Sequence, residues 1–422
     1  MSELRIGTAN SEPAAGTLKV GSGDVQEIYL GSSKIWPTVS PGLDDPYVPI
    51  ADNTNPRFIG TEPVNPTSNS NAYVRIYDEN ANTISTLGTI ATPTAAPSIA
   101  GAYYCISTAS DNCDYLWART YNTNLVNGYI IRSNDRGATW VETAIRGHRQ
   151  SGDPTFFTPS IEQSRDGKYV VIIPSGPFTT PLISSDYGVS FSSISGFLNF
   201  DKQYAAAGMS AGGKYIYITY VPSGASVVQV YRSDNYGQVF SNITTSVNLQ
   251  TTIPPYVGTF NYKPLVNATG SKVVFASANG SYTATIFAAN ISSISTDYGV
   301  TYSKISQQMY GYRHYANPAV SRNATADGSR YIWNAGQASR YWNWYDSSLA
   351  PAPIQDTGTN ADQSMTSISN YGSYGIAATK QGVTTTTQMR FNSFSNSASY
   401  TTVSIASSQH AAEKMQLAVN IL

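Results

Sequence analysis

Charge is scarce in this chain. Only 12% of its 422 residues are Asp, Glu, Lys or Arg and the net charge is −1, against about 25% charged residues in an ordinary soluble domain. Binding along a phosphate backbone needs a basic stripe or a run of like charges, and none occurs, so no nucleic-acid partner is expected. No stretch of about 18 apolar residues is present either, which excludes insertion of a hydrophobic helix into a membrane. The first thirty residues lack the basic start and apolar core of a secretory signal, so a chain made soluble and without a signal peptide is expected. Cysteine is nearly absent. Cys105 and Cys113 are the two thiols, too few for a disulfide scaffold or a cysteine-based zinc site, and they read as ordinary thiols, with a local bridge as the alternative. His148, His314 and His410 are too dispersed for metal-ligand spacing, and no glycine loop follows a strand and opens a helix to cradle phosphate. Neither a metal nor a cofactor is expected.

What the chain does have is Gly, Tyr, Ser, Thr and Asn, arranged with a period. An octapeptide recurs four times, from Ser133 (SNDRGATW), Ser184 (SSDYGVSF), Ser233 (SDNYGQVF) and Ser295 (STDYGVTY), with successive starts 51, 49 and 62 residues apart. That period matches a four-stranded propeller blade of about 40 to 50 residues, with one longer insertion. The residues suit a tight hairpin turn. Asp135, Asp186 and Asp297, and Asn235 in the third copy, can accept hydrogen bonds from the amides of their own turn. Gly137, Gly188, Gly237 and Gly299 can take a positive φ, and Trp140, Phe191, Phe240 and Tyr302 open the next strand.

A second element lies between these turns, a Gly-bearing turn followed by alternating strand residues: RDGKYVVII from Arg165, AGGKYIYIT from Ala211, TGSKVVFAS from Thr269 and DGSRYIWNA from Asp327. Each reads as the hairpin from the first blade strand to the second. Similar strand pairs around residues 107–120 and 368–380 extend the series. The expected fold is therefore all-β, a β-propeller of four-stranded antiparallel blades near 96–145, 150–195, 202–244, 258–306, 313–355 and 362–404. A partial blade in 56–92 is completed by a strand from the carboxy-terminal tail, which would close the ring and remove two exposed edges. Seven blades is the preferred count; six with a separate terminal strand pair is the alternative. Residues 1–37 hold four short strand-like pieces and form a separate small β module. Residues 38–55, rich in proline and without periodicity, read as a linker, so the propeller covers 56–422.

The octapeptides resemble the Asp box, or bacterial neuraminidase repeat, Ser/Thr-x-Asp-x-Gly-x-Thr-Trp/Phe. Two copies, at 133 and 184, match closely; the copy at 295 ends in Tyr302, and the copy at 233 carries Asn235 for Asp and Val239 for Thr. The string VQEIYLGSSKIWP at 25–37 resembles a short module of bacteriophage virion proteins that precedes a variable domain. This resemblance implies a virion component, present in several copies, whose residues 1–37 dock on other virion proteins. An ordinary hairpin capping the propeller is the structural alternative for that segment.

The Asp-box resemblance raises the question of sialidase chemistry. That family uses an Arg-Ile-Pro-type motif before the first blade, three substrate-gripping arginines, a Tyr/Glu nucleophile pair and an acid/base Asp. Here the comparable segment is Arg57-Phe58-Ile59, without the proline. The propeller glutamates are Glu62, Glu79, Glu142, Glu162 and Glu413. Of these Glu162 is placed on an inner strand, where Asp153 could meet it near the axis, while a plain channel residue is the simpler reading. No catalytic residue is assigned. A ligand site is expected instead on the face opposite the octapeptide turns, where loops carry Arg146, His148, Arg149, Lys202, Tyr204, Tyr262, Tyr312, Arg313, His314, Arg340 and Trp342. Aromatic rings stack on sugars or anchor protein interfaces, and guanidinium groups of shared sign favour an anionic glycan or an acidic surface. The expected role is non-catalytic attachment to a host-surface carbohydrate or protein. A particle-bound sialidase-like glycosidase and a purely structural tail or capsid decoration are the alternatives.

Overall fold

The computed structural model describes residues 19–20, 23–24, 28–30, 33–36, 43–49, 57–63, 71–78, 83–91, 103–121, 127–148, 160–174, 180–197, 205–220, 228–247, 263–278, 287–304, 307–311, 324–334, 341–346, 351–355, 361–368, 374–381, 386–393, 401–405 and 417–419. Two compact units are present, Met1–Asp45 and Pro46–Leu422. In the first, Lys19–Val20 pairs with Gly23–Asp24, and Ile28–Leu30 pairs with Ser33–Trp36 through an irregularity between Ile28 and Tyr29. The second unit begins at Pro46, inside the stretch 38–55 read from sequence as a linker.

That second unit is an all-β propeller. Among the described residues it contains seven antiparallel sheets of three or four strands, six of them four-stranded. The first sheet joins the two ends of the unit: Leu417–Val419 pairs with Arg57–Pro63, followed outward by Ala72–Asp78 and Thr83–Ile90. The second runs from Tyr103–Ala109 through Leu116–Tyr121 and Asn127–Ser133 to Val141–His148. The third is Ser160–Gln163, Val170–Ile173, Leu182–Ser184 and Ser192–Ser193, and the fourth is Ala206–Met209, Ile216–Tyr220, Gln229–Ser233 and Ser241–Asn242. The fifth spans Leu265–Val266 to Gln307–Gly311, the sixth Arg330–Asn334 to Pro351–Gln355, and the seventh Ala361–Ile368 to Thr401–Ile405. One helical turn, Thr244–Val247, follows the fourth sheet.

The strand sequences explain this stacking. Val170–Ile173 and Ile216–Tyr220 are buried along their whole length, because a second strand has a neighbouring sheet on each of its faces and so reads as a continuous apolar run. Outermost strands have no such cover. Ser192–Ser193 and Ser241–Asn242 are exposed. The first and second strands of each sheet therefore supply most of the apolar material, as in the cluster of Val171, Ile173, Ala207, Ile216 and Ile218 between the third and fourth sheets.

Two repeated devices fix one sheet to the next. The first is a chain of backbone bonds at the hairpin ends of the innermost strands. Asp111 N donates to Arg165 O (2.6 Å), Arg165 N to Ala211 O (2.6 Å), Ala211 N to Ala268 O (2.9 Å) and Ala268 N to Ala326 O (2.8 Å). It links the second to the sixth sheet, with alanine at three of the five positions and Asp111 and Arg165 at the other two. The Tyr47 ring packs on Ala211, Ala268 and Ala326, and its hydroxyl donates to Asp111 Oδ2 at 3.3 Å. Burial first, and then the Asp111 carboxylate, push the Tyr47 phenol well above its ordinary range.

The second device is a ladder of tyrosines. Tyr115, Tyr169 and Tyr215, each at the end of a first hairpin, stack on Tyr187, Tyr236 and Tyr298 of the next sheet at centroid distances of 4.6, 5.0 and 5.5 Å. Each also lies over the glycine of the next hairpin, Gly167, Gly213 or Gly270, leaving no space there for a Cβ. In the fifth sheet the ladder ends at Lys272, whose Nζ donates to Gly328 O at 3.5 Å. Cys113 stands where the other hairpins have glycine, at φ 57°. Its thiol is fully buried and not part of a disulfide, so the local bridge considered from sequence is not formed.

Candidate functional site

The four octapeptides form turns of one pattern, with two left-handed residues in succession and a serine hydroxyl accepting the glycine amide. In the second sheet Ser133 Oγ donates to Asp135 Oδ1 (2.7 Å) and accepts from Gly137 N (2.7 Å), while Thr139 gives its amide to Asp135 Oδ1 (2.8 Å) and its hydroxyl to Oδ2 (2.5 Å). Trp140 closes the turn by donating Nε1 to Gly137 O at 3.0 Å. Ser184, Asp186, Gly188 and Ser190 repeat this network, as do Ser295, Asp297, Gly299 and Thr301. Not only the glycine but also the residue before it has a positive φ: 60° at Arg136, 62° at Tyr187, 61° at Tyr236 and 62° at Tyr298. Two successive left-handed residues give the mirror-image turn whose twist suits a hairpin, and the ladder stacking offsets the strain at the three tyrosines. In each copy that residue donates its amide to the first hairpin of its own sheet, as Tyr187 N does to Lys168 O at 3.0 Å. The octapeptide turns and first hairpins therefore share one face.

The carboxylates are consumed by these turns. Burial pushes the Asp186 carboxyl up, but hydrogen bonds from the hydroxyl and amide of Ser190, from Ser184 and from Val189 outweigh it and hold the group at about 2. Hydrogen bonds from Thr139 and Ser133 likewise lower Asp135. A carboxylate mostly occupied by its own turn, and held in its ionised form by those bonds, is a poor partner for proton transfer to a ligand.

The described polar site of the propeller is on its axis. Inner strands of the second to sixth sheets enclose a cavity of ≈ 40 Å³ whose wall includes Thr108, Glu162, Gln163, Arg165, Ser210 and Lys263. Glu162 is on the inner strand of the third sheet, as its sequence position implied, and Lys263 Nζ donates to its Oε2 at 2.6 Å. Both side chains are about nine-tenths buried, at 9% exposed for Lys263 and 11% for Glu162. Two charges taken out of water in this way hold each other in place, since removing either would leave the other unpaired. Gly208 makes the pairing possible. A Cβ there would collide with the carbonyl oxygen of Pro264, so only glycine lets the segment bearing Lys263 lie this close to the fourth sheet's inner strand. Gln163 donates Nε2 to Tyr115 O at 3.2 Å; its Oε1 is buried with no hydrogen-bond partner.

Lys263 and Gln163 are absent from the set chosen on sequence. The available signal was a single lysine, Lys263, ending an aromatic loop directly before the apolar strand Leu265–Val266. Of the expected rim residues, Arg146 and His148 lie on the outermost strand of the second sheet, with Arg146 opposite Tyr129 and His148 opposite Asn127. Trp342 sits on the middle strand of the sixth sheet, between Asn334 and Ile354. Arg149, Lys202, Tyr204, Tyr262, Tyr312, Arg313, His314 and Arg340 lie outside the described residues, as does Asp153.

No family model matches this chain. No curated protein matches it either. Solved structures are similar to it at low identity. TolB from Acinetobacter baumannii aligns at 13% identity and a TM-score of 0.42, covering 86% of this chain and 82% of that one. The GH74 xyloglucanase from Xanthomonas campestris aligns at 12% and 0.46, covering 84% of this chain and 52% of that one. The C-terminal WD40 domain of Sif2 aligns at 11% and 0.42, covering 83% and 85%. Likenesses at this level carry no argument about activity.

Proposed function

We propose that the octapeptides are Asp boxes and that the protein is a non-catalytic component of a bacteriophage virion. In this reading residues 1–37 dock on other virion proteins, several copies join one assembly, and the propeller binds a host-surface carbohydrate or protein. The observation that carries the non-catalytic part is the ion pair of Glu162 with Lys263. A glycoside hydrolase needs two carboxyl groups about 5–10 Å apart across one substrate. Among the described residues of the axial cavity, Glu162 is the one carboxylate, and it faces a lysine. The phage setting is supported by the VQEIYLGSSKIWP string and by the separate amino-terminal unit that contains it.

The test is binding and hydrolysis measured side by side. Glycan arrays and host-cell adsorption of the wild type should show binding with no free sugar released. The paired change Arg313→Ala with Arg340→Ala should weaken it by about 2–4 kcal/mol, or about 30- to 700-fold, where charge-assisted bonds to an acidic ligand are partly shielded. Unaltered adsorption would favour structural decoration, and release of sugar by the wild type would favour the glycosidase.

A further inference from the structure

The tyrosine ladder sets oxidisable rings against each other in pairs, and its three pairs are not equivalent. Tyr115 and Tyr187 are the closest and most nearly parallel of them, at 4.6 Å and 24°, against 5.0 Å and 27° for Tyr169 with Tyr236 and 5.5 Å and 33° for Tyr215 with Tyr298. Exposure ranks them the same way. Tyr187 is 37% exposed, whereas Tyr215 is 1% exposed. Tyr220 and Tyr231 also stack, but at 5.9 Å and with Tyr220 buried. Gly167 backs the Tyr115 ring on its other side, so that ring is held while the exposed Tyr187 has room to tilt towards it.

Charge separates the pairs further. Lys168 Nζ lies 5.3 Å from the centre of the Tyr169 ring, and Lys214 Nζ 5.4 Å from that of Tyr215. A cation against a π face holds its electron density and opposes the loss of an electron. Before Tyr115 the same hairpin position is an acid, Asp114, paired with Arg136. Competing targets close by are shielded: Cys113, Trp117 and Met209 are buried, and oxidation of thiols and thioethers follows exposure. We propose that Tyr115 and Tyr187 are a site of oxidative cross-linking, joined as dityrosine by a one-electron oxidant and stapling the second sheet to the third. Each phenol gives up one electron and its O–H proton. The two radicals join through a bond between Cε atoms, and the hydrogens on those carbons return to the oxygens, so the product has lost two electrons and two protons. With persulfate as oxidant, one persulfate takes both electrons and becomes two sulfates, while the protons pass to the buffer. The staple closes a loop of chain between residues 115 and 187 and so removes freedom from the unfolded state.

The test exposes the dilute full chain to persulfate with a light-excited ruthenium tris-bipyridine sensitiser, then digests the monomer for mass spectrometry. The peptide joining Tyr115 to Tyr187, two hydrogens lighter than its separate parts, should form in the wild type. It should exceed the peptides joining Tyr169 to Tyr236 and Tyr215 to Tyr298 by about tenfold, the order that one cation–π contact sets. Tyr115→Phe and Tyr187→Phe keep a stacked ring and remove one phenol, so each should lower the dityrosine fluorescence of the monomer, while Tyr169→Phe should leave it unchanged. Oxidation at other tyrosines with no peptide joining Tyr115 to Tyr187, or equal yields from the three pairs, would overturn the proposal. Peptide yields from the wild type decide the matter even where a variant does not fold.

Discussion

The turn of the third sheet, Ser184 to Phe191, and that of the fourth, Ser233 to Phe240, have the same shape with different chemistry. Both keep the serine hydroxyl as acceptor for the glycine amide at 2.9 Å, and both keep a side-chain Oδ1 accepting the amide four residues on, at 3.0 Å. Only the third sheet has the further bond from a hydroxyl, Ser190 Oγ, to the second carboxylate oxygen of Asp186, at 2.6 Å. In the fourth sheet both partners of that bond are gone together, with Asn235 for the acid and Val239 for the hydroxyl. Losing one alone would strand the other. The turn is therefore specified by its backbone-directed bonds and its two left-handed residues, and the carboxylate–hydroxyl bond is an accessory to them.

The largest effect that would break this view lies at the glycines. Gly188 has a φ of 75°, and a Cβ there would drive into the Trp117 ring; at Gly137, with φ 84°, the nearest atom to a Cβ is Leu116 Cδ1 at 3.3 Å. Both alanine variants carry the backbone strain, and Gly188→Ala adds an overpacked core. Urea unfolding should put its cost at about 3 kcal/mol or more, with Gly137→Ala clearly milder. Equal costs would mean that strain alone, without the inter-sheet contact, makes these positions glycine.

A smaller effect separates the acid from the amide. Asp186→Ala should lower stability by about 1–3 kcal/mol, and Asn235→Ala by less, since the latter loses fewer bonds. The acid turn also carries a pH signature. The folded Asp186 carboxyl, at about 2, lies below its unfolded value near 4, so its contribution is fully present above about pH 4 and is lost as pH falls through about 2. Denaturant titrations of the wild type and Asp186→Asn at pH 7 and pH 2 should therefore converge at the lower pH. A gap that stays constant would show that the ionised form is not what the turn prefers.

How far each feature could be read from sequence follows from how local its physics is. The octapeptides and first hairpins were legible because Ser, Asp and Gly act on amides within five residues, and the blade period follows from their spacing. The second left-handed residue was not, since Tyr187, Tyr236 and Tyr298 are unusual there and are held by rings 72, 67 and 83 residues away in the chain. Glu162 could be placed on an inner strand, but its partner Lys263 is 101 residues distant, and no local pattern reports such a pair. Tyr47 lay hidden in a proline-rich stretch without periodicity, where only the alanines of three separate hairpins reveal what the ring packs on.

The smallest effect is also the sharpest, because it asks whether the fourth sheet's turn can be converted into the third's. Asn235→Asp together with Val239→Thr would supply the missing carboxylate oxygen and the hydroxyl that donates to it. Val239 is 62% exposed, so its loss costs little apolar burial, and the Oδ1 bonds already in place pre-position the new group. The hydroxyl of the comparable Thr301 reaches Asp297 Oδ2 at 2.5 Å on the same backbone geometry. One exposed charge-assisted bond should stabilise the protein by about 0.5–1 kcal/mol at pH 7. Asn235→Asp alone should gain less, because its second oxygen would have no hydroxyl to receive, and Val239→Thr alone should be close to neutral. The gain of the pair should vanish as pH falls below about 4 towards 2, where the new acid takes up its proton. A double-mutant cycle by urea unfolding at the two pH values measures this directly. Strict additivity of the two changes, or a gain that survives at low pH, would show that the carboxylate–hydroxyl bond is not the accessory distinguishing the two turns.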